Sequence, residues 1–317
     1  MATHHLPVLR EAVVRWLAPR PGACIFDGTL GGGGHSRALL TAAGGRGRLI
    51  AVDRDPGAWE RSGLEGLFPE AEVRFLHRRF ETALADLAAG RLAGTPLDAV
   101  LLDLGPSSDQ LDDPSRGLSF QVDGPLDMRL DPTSGEPVSA WLERQDEASL
   151  ARVLRDFGEV PGARRLARTI LAARPIATTG ALAHLCPPAY RSRRGRGGRR
   201  HNPATLVFQA LRIAVNGELD HLAAAVEDGV RCLAPGGRIA VIAFHSLEDR
   251  IVKQTLRRLA HPCICPPNLP ACACGRRPLV TLLSRRAIVA TPEECADNPR
   301  ARSARLRVAE RTTNSFT

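Results

Sequence analysis

A short apolar strand that ends in an acid, followed by a run of glycines and then a helix, leaves a chain very few folds to choose from. Here Ala23 to Asp27 is the strand, Gly31 to Gly34 the turn, and His35 to Leu40 the opening of the helix. Glycines at the first strand-to-helix turn let backbone approach a ligand at the carboxyl edge of a sheet. Arg48 to Asp53 is a second strand ending in an acid, Val73 to His77 a third and Leu97 to Leu104 a fourth, with helical patterns between them. Strands that alternate with helices and are apolar along their length belong to a parallel doubly wound sheet covered on both faces. The predicted fold class is α/β.

The pattern breaks after the fourth strand. Residues 105 to 137 are rich in Asp, Gly, Pro and Ser, and from Ser139 the chain reads as helices only. Asp146 can cap a helix whose Leu150, Val153, Leu154 and Phe157 share a face, with Gly158 at its end. Leu166, Ile170 and Leu171 mark another helix, broken by Pro175. Tyr190 to His201 holds six arginines and three glycines and reads as a loop. The α/β pattern then resumes. Leu219, Leu222, Val226, Val230 and Leu233 line a helical face, Pro235-Gly236-Gly237 stops it, and Arg238 to Phe244 is a fifth strand. Glu248 to Leu259 is helical, and 279 to 290 can supply the last strands. Leu9, Val13, Trp16 and Leu17 share one face of a helix over residues 8 to 17. The predicted organisation is a core over 1–109, an all-helical insertion over 110–204 and the rest of the core over 205–317.

The 43 basic residues outnumber the 34 acidic ones, for a net charge of +9 and a pI near 9.8. Such an excess leans towards a polyanionic partner, most often nucleic acid. Lys253 is the only lysine, and a GC-rich coding sequence would by itself favour Arg over Lys; the charge excess outlasts that explanation. The longest clean apolar stretch, Ile239 to Phe244, is far short of the ~20 residues of a membrane span. Met1 to Glu11 has no apolar signal core. The expected compartment is the cytoplasm.

An acid at the end of the second strand can take both hydroxyls of a ribose, so Asp53 fits either a dinucleotide or S-adenosylmethionine. No G-x-G-x-x-G and no G-x-x-x-x-G-K occurs. Asp27, directly before the turn, would repel a pyrophosphate but suits the ammonium and sulfonium of S-adenosylmethionine. Asp103-Leu-Gly-Pro-Ser-Ser108 follows the fourth strand at the same edge. There a carboxylate or carbonyl can align an exocyclic amine and accept its N–H during in-line methyl attack; a plain capping Asp at a turn is the competing reading.

At these residues the chain resembles the MraW/RsmH family, bacterial small-subunit ribosomal RNA methyltransferases that modify N(4) of a cytidine in the decoding region. The strings Asp103 to Phe120 and Asp123-Gly-Pro-Leu-Asp-Met-Arg129 carry the resemblance. So do His5-Leu-Pro-Val-Leu9, Asp53-Arg-Asp-Pro56, Val215-Asn-Gly-Glu-Leu219, Phe244-His-Ser-Leu-Glu-Asp-Arg250 and Asn298 to Ser303. Pro106, Asp109 and Leu118 depart from the family's usual residues. The resemblance implies a Rossmann-like S-adenosylmethionine-dependent methyltransferase sheet with a helical insertion that recognises substrate. It implies cofactor contacts at Gly33, Gly34, His35, Asp53, Phe80, Asp103 and Gln110, with Phe80 a flat wall for adenine or ordinary core packing. The expected catalytic residues are Asp103 and, for positioning the target base, His245, whose turn can equally be structural. The implied partner is small-subunit ribosomal RNA, in an assembled or nearly assembled subunit. A non-catalytic assembly factor that retains the cofactor site is the alternative; a nicotinamide oxidoreductase is disfavoured by the missing fingerprint.

Two basic stretches, Tyr190 to His201 and Arg300 to Arg311 with five arginines, are candidate RNA contacts. Eight cysteines are present, four of them clustered as Cys263-Ile-Cys265 and Cys272-Ala-Cys274. Four thiolates within twelve residues can close around one tetrahedral ion, although zinc more usually takes C-x-x-C pairs; free thiols in a Pro-rich loop are the other reading.

Overall fold

The computed structural model describes residues 7–94, 96–186, 190–191, 200–201, 203–266 and 272–316. In chain order the elements are α1 (Arg10–Leu17), β1 (Cys24–Asp27), α2 (Gly34–Ala42), β2 (Gly47–Asp53), α3 (Ala58–Ser62), β3 (Ala71–His77), α4 (Phe80–Ala88) and β4 (Leu97–Asp103). Then come α5 (Ser108–Asp112), a 3-10 turn (Pro114–Arg116), α6 (Val138–Glu143), α7 (Glu147–Asp156), α8 (Ala163–Ala172), α9 (Thr179–Leu185), β5 (Tyr190–Arg191), β6 (Arg200–His201) and α10 (Pro203–Asn216). The chain ends with α11 (Leu222–Cys232), β7 (Leu233–Ala243), α12 (Ser246–Ala260), β8 (Val280–Leu282), α13 (Pro292–Asp297), a second 3-10 turn (Pro299–Ser303) and β9 (Arg305–Arg311). Two compact units result: Met1–Gly105 with Leu219–Thr317, and Pro106–Glu218. Among the described residues no helix is long and apolar enough to cross a membrane.

The first unit is a seven-stranded sheet in the order β3-β2-β1-β4-β7-β9-β8. The pairs from β3 to β7 are parallel, and β9 runs antiparallel to both β7 and β8. Side chains alternate across a strand, and each face has its own apolar cluster. Phe26, Val100 and Leu102 pack with Leu84 of α4, Val226 of α11 and Val252 of α12. Ile25, Ala99 and Leu101 pack with Val13 of α1 and Leu39 and Leu40 of α2.

Of the last strands, β8 falls within 279 to 290 as expected, and two features differ. β7 begins at Leu233, so Pro235-Gly236-Gly237 lies within a strand whose register against β4 shifts between Leu97 and Ala99. β9 lies at Arg305–Arg311 rather than within 279 to 290. Its alternation of Arg305 and Arg307 with Leu306 and Val308 has the two-residue period of a strand, masked by the arginines.

The second unit is built around α6 to α10, with Leu142, Leu150, Leu154, Ile170, Leu182 and Leu211 at its centre. Asp146 caps α7 as expected, its carboxylate accepting the Ser149 N–H at 2.7 Å. The unit runs from Pro106 to Glu218, not 110 to 204, because α10 buries Val207, Phe208 and Leu211 in this core. It is also not purely helical: β5 and β6 pair antiparallel, Tyr190 opposite His201. Residues 192–199 of the arginine-rich loop lie outside the described residues. Leu154 has no exposed surface. Leu154→Ala is expected to destabilise this unit by about 2–5 kcal/mol in a urea titration; a loss below about 1 kcal/mol would mean that the core closes over the gap.

Candidate functional site

The carboxyl ends of β1, β2 and β4 are stitched together by the turn after β1. Gly28 N–H donates to Leu101 O at 2.9 Å and Leu30 N–H to Val52 O at 3.0 Å. The Asp103 N–H donates to Thr29 Oγ1 at 2.7 Å. Thr29 was not singled out by the sequence, yet its hydroxyl sets where the backbone of Asp103 sits. Gly28 is obligatory: a Cβ there would lie 2.6 Å from Leu102 Cδ2 and 2.9 Å from Phe80 Cβ. Gly33, at φ +74°, caps α2 and would drive a Cβ to 2.7 Å from Ser62 Cβ. No side chain caps α2, so its first N–H groups and the positive end of its dipole stay at this edge.

Asp53 ends β2 as predicted. Its Oδ2 accepts Gly31 N–H at 2.7 Å and its Oδ1 accepts Asp55 N–H at 2.8 Å. Burial pushes its carboxyl up to about 6, against the pull of those two N–H bonds. Asp27 does not do what the sequence suggested. It is fully buried, with Oδ2 accepting the Ser36 hydroxyl at 2.6 Å and Oδ1 the Thr29 N–H at 3.1 Å. Its carboxylate ties the turn to α2 and has no face left for a ligand's ammonium. Burial raises its pKa, and the Ser36 hydroxyl opposes that rise.

His35, the second residue of α2, is 6% exposed, and its Nε2 stands 3.5 Å from Asp103 Oδ2. Neither ring nitrogen of His35, nor Asp103 Oδ1, has a hydrogen-bond partner, although all three atoms are buried. A buried polar atom left unpaired costs about 1–3 kcal/mol, and native proteins seldom keep three together. A polar ligand carrying both donors and acceptors would satisfy them. Phe80, which opens α4, is half-buried against the apolar cluster on that face and presses on Gly28.

Two further predicted residues make hydrogen bonds within their own turns. Gln110 lies in the Pro106–Glu218 unit and forms a capping box with Ser107: Oε1 accepts Ser107 N–H at 2.9 Å, and Ser107 Oγ accepts Gln110 N–H at 3.3 Å. Its Nε2 donates to Leu130 O at 3.4 Å. His245 caps α12, with Nδ1 accepting Glu248 N–H at 3.5 Å, while the Glu248 carboxylate accepts the N–H groups of Phe244 and His245. The other ring nitrogen, Nε2, is buried and stands 3.0 Å from Glu248 Oε1.

The Arg300 to Arg311 stretch is not a free basic face. Arg307 grips Asp249 with both arms, Nε to Oδ1 at 2.7 Å and Nη2 to Oδ2 at 3.0 Å. Arg311 donates to the carbonyls of Leu279, Thr312 and Asn314 and stacks on Phe316. Arg302 and Arg305 are the exposed members.

The strand order, the lone antiparallel β9, the glycine cradle and the acid ending β2 together define a Rossmann-like methyltransferase that uses S-adenosylmethionine. The family model described as "MraW methylase family" matches residues 2–312. The ribosomal RNA small subunit methyltransferase H of Thermomicrobium roseum is 50% identical over 315 residues, covering 98% of this chain and 94% of that protein. Its namesake in Heliobacterium modesticaldum is 45% identical, covering 98% of this chain and 99% of that protein. The chain belongs to the MraW methylase family.

Proposed function

We propose that this protein methylates N(4) of a cytidine in the decoding region of 16S ribosomal RNA, with S-adenosylmethionine as donor, acting on an assembled or nearly assembled small subunit. The observation that carries the cofactor's place is the set of unpaired buried polar atoms on His35 and Asp103, beside the glycine cradle. When bound, S-adenosylmethionine supplies an electrophilic methyl group. Asp53 would take the ribose hydroxyls, Gly33 and Gly34 would let the ligand approach the first N–H groups of α2, and Phe80 would flank the adenine. His35 and Asp103 would hold the methionine end. Asp103 also accepts a hydrogen bond from the cytosine amine, orienting it and polarising the N–H so that electron density rises on the attacking nitrogen. No strong base is needed, because the amine loses its proton after the methyl attack. Gln110 enters this reading by the resemblance alone, and His245 as the candidate for positioning the target base from the turn after β7.

The Pro106–Glu218 unit is the proposed substrate-recognition domain, with the Tyr190 to His201 loop supplying phosphate contacts. If about four of its arginines touch phosphates, deleting the loop should flatten the salt dependence of RNA binding by roughly 3 in log–log slope. An unchanged slope would make the loop a bystander. The decisive experiment maps cytidine methylation by mass on small subunits from cells lacking this protein, before and after adding it with the cofactor, with naked 16S RNA run in parallel. Restoration of one N(4)-methylcytidine on subunits supports the proposal. No change on either substrate overturns it, and equal action on naked RNA overturns the assembled-subunit part.

A further inference from the structure

The loop between α12 and β8 holds four cysteines that no step above uses. Cys272 Sγ lies 3.6 Å from Cys263 Sγ, 3.9 Å from Cys265 Sγ and 3.5 Å from Cys274 Sγ, and Cys274 Sγ lies 3.8 Å from Cys263 Sγ. All four sulfurs fall within 4.8 Å of one another. With a Zn–S bond of about 2.3 Å, the edge of a regular ZnS₄ tetrahedron is about 3.8 Å. The observed separations bracket that edge, so one ion at the centre would reach every sulfur without moving the backbone far. Two disulfides would instead draw the sulfurs into two bonded pairs of about 2 Å, and all eight cysteines are free. The Ala273 N–H also points at Cys265 Sγ, at 3.3 Å, a bond that strengthens as sulfur becomes a thiolate.

The loop needs such a staple. None of its described residues from His261 to Pro278 is buried, and Ile264 is 66% exposed. The base, by contrast, is tied to the sheet unit: Leu279 N–H donates to Leu259 O at 2.9 Å, and Thr312 Oγ1 to Pro278 O at 2.8 Å. A segment with a fixed base and no apolar core takes its order from a cross-link or a metal.

We propose that Cys263, Cys265, Cys272 and Cys274 bind one zinc ion as a closed tetrathiolate site that orders this loop. Four protein ligands leave no open position, so the ion is structural and takes no part in methyl transfer. The spacing, two C-x-C pairs rather than two C-x-x-C pairs, is compatible because the sulfurs of the second pair lie against those of the first.

The test uses the full chain, purified in reductant without chelator. Elemental analysis should find close to one zinc per chain. Adding Co(II) to the chelated, reduced protein should give the thiolate-to-metal charge-transfer and ligand-field absorption of a tetrahedral CoS₄ centre, bleached by Zn(II). Cys272→Ser should lose the metal with the far-ultraviolet dichroism unchanged, while the Cys24→Ser, Cys295→Ser double variant should keep it. Should Cys272→Ser fail to fold, the cobalt titration of the unaltered chain still decides. Iron in place of zinc, no metal with no cobalt spectrum, or metal that stays bound to folded Cys272→Ser would each overturn the proposal.

Discussion

Asp103→Asn is expected to fold normally and to slow single-turnover methylation by about 10²-fold or more, the loss typical of one preorganised electrostatic contact. Folding should survive because the backbone of Asp103 is anchored independently of its side chain, by the N–H bond to Thr29 Oγ1 and by pairing of β4 with β1 and β7. The carboxylate itself faces His35 Nε2 at 3.5 Å, and its Oδ1 is unpartnered. An amide of the same shape loses the charge and turns one acceptor into a donor. It would meet the cytosine amine, also a donor, or the ammonium end of the cofactor, with the wrong polarity. Single-turnover rates at saturating cofactor and RNA, set beside calorimetric cofactor affinity, separate the roles. Parallel loss of both marks a cofactor ligand; a slow step at unchanged affinity marks a group that acts on the amine. A wild-type rate would move the role from this carboxylate to the backbone of the turn.

Much of the cofactor edge was legible because β1, β2 and β4 are apolar on both faces and end in acids, a pattern with few other solutions. What the pattern could not show was which acid faces outward. Asp27 and Asp53 occupy equivalent ends of neighbouring strands and each has both oxygens bonded, yet Asp27 has no exposed surface while Asp53 keeps part of its own. Ser36 is one turn into α2, so only the fold brings its hydroxyl to Asp27. Charge misled in the same way at the C-terminal strand. Arg307 reads as a phosphate contact until α12 places Asp249 opposite it. The strings behind the family resemblance also divide by role. In the second unit Asp127 clamps Arg129, with Nε and Nη2 each at 2.8 Å, and Asp123 accepts the Gly180 N–H at 2.6 Å where α9 begins. Asn216, from the Val215 to Leu219 string, donates to Met128 O and accepts Leu130 N–H, both at 2.8 Å. These residues hold loops to helices, so matched strings there reflect architecture as much as chemistry. For the cysteines, spacing alone could not decide, since two C-x-C pairs face one another only if the chain between them folds back.

Asp53→Ala should weaken S-adenosylmethionine binding by about 1.5–3 kcal/mol, as expected when a charged hydrogen-bond partner is lost, or roughly 10- to 150-fold in Kd. The unaltered protein should show a matching pH dependence. A ribose hydroxyl binds the ionised carboxylate best, and burial has lifted this carboxyl to about 6. Affinity should therefore hold from pH 8 to pH 7 and then fall, reaching about a tenfold loss near pH 5, where only about a tenth of the free protein carries the ionised form. The direction for stability is opposite. The unfolded carboxyl ionises near 3.8 and the folded one near 6, so between those values the folded state binds more protons. Asp53 thus favours folding less as pH rises through that window. Cofactor affinity and fold stability should then move in opposite directions from pH 4 to pH 6 at this residue, and Asp53→Ala should remove its share of both slopes. The substitution also frees the N–H groups of Gly31 and Asp55, so Asp53→Asn, which keeps one acceptor, serves as the control for a loosened turn. Calorimetry that finds unchanged affinity in Asp53→Ala, or a flat Kd from pH 7 to pH 5 in the unaltered protein, would take Asp53 out of the cofactor site.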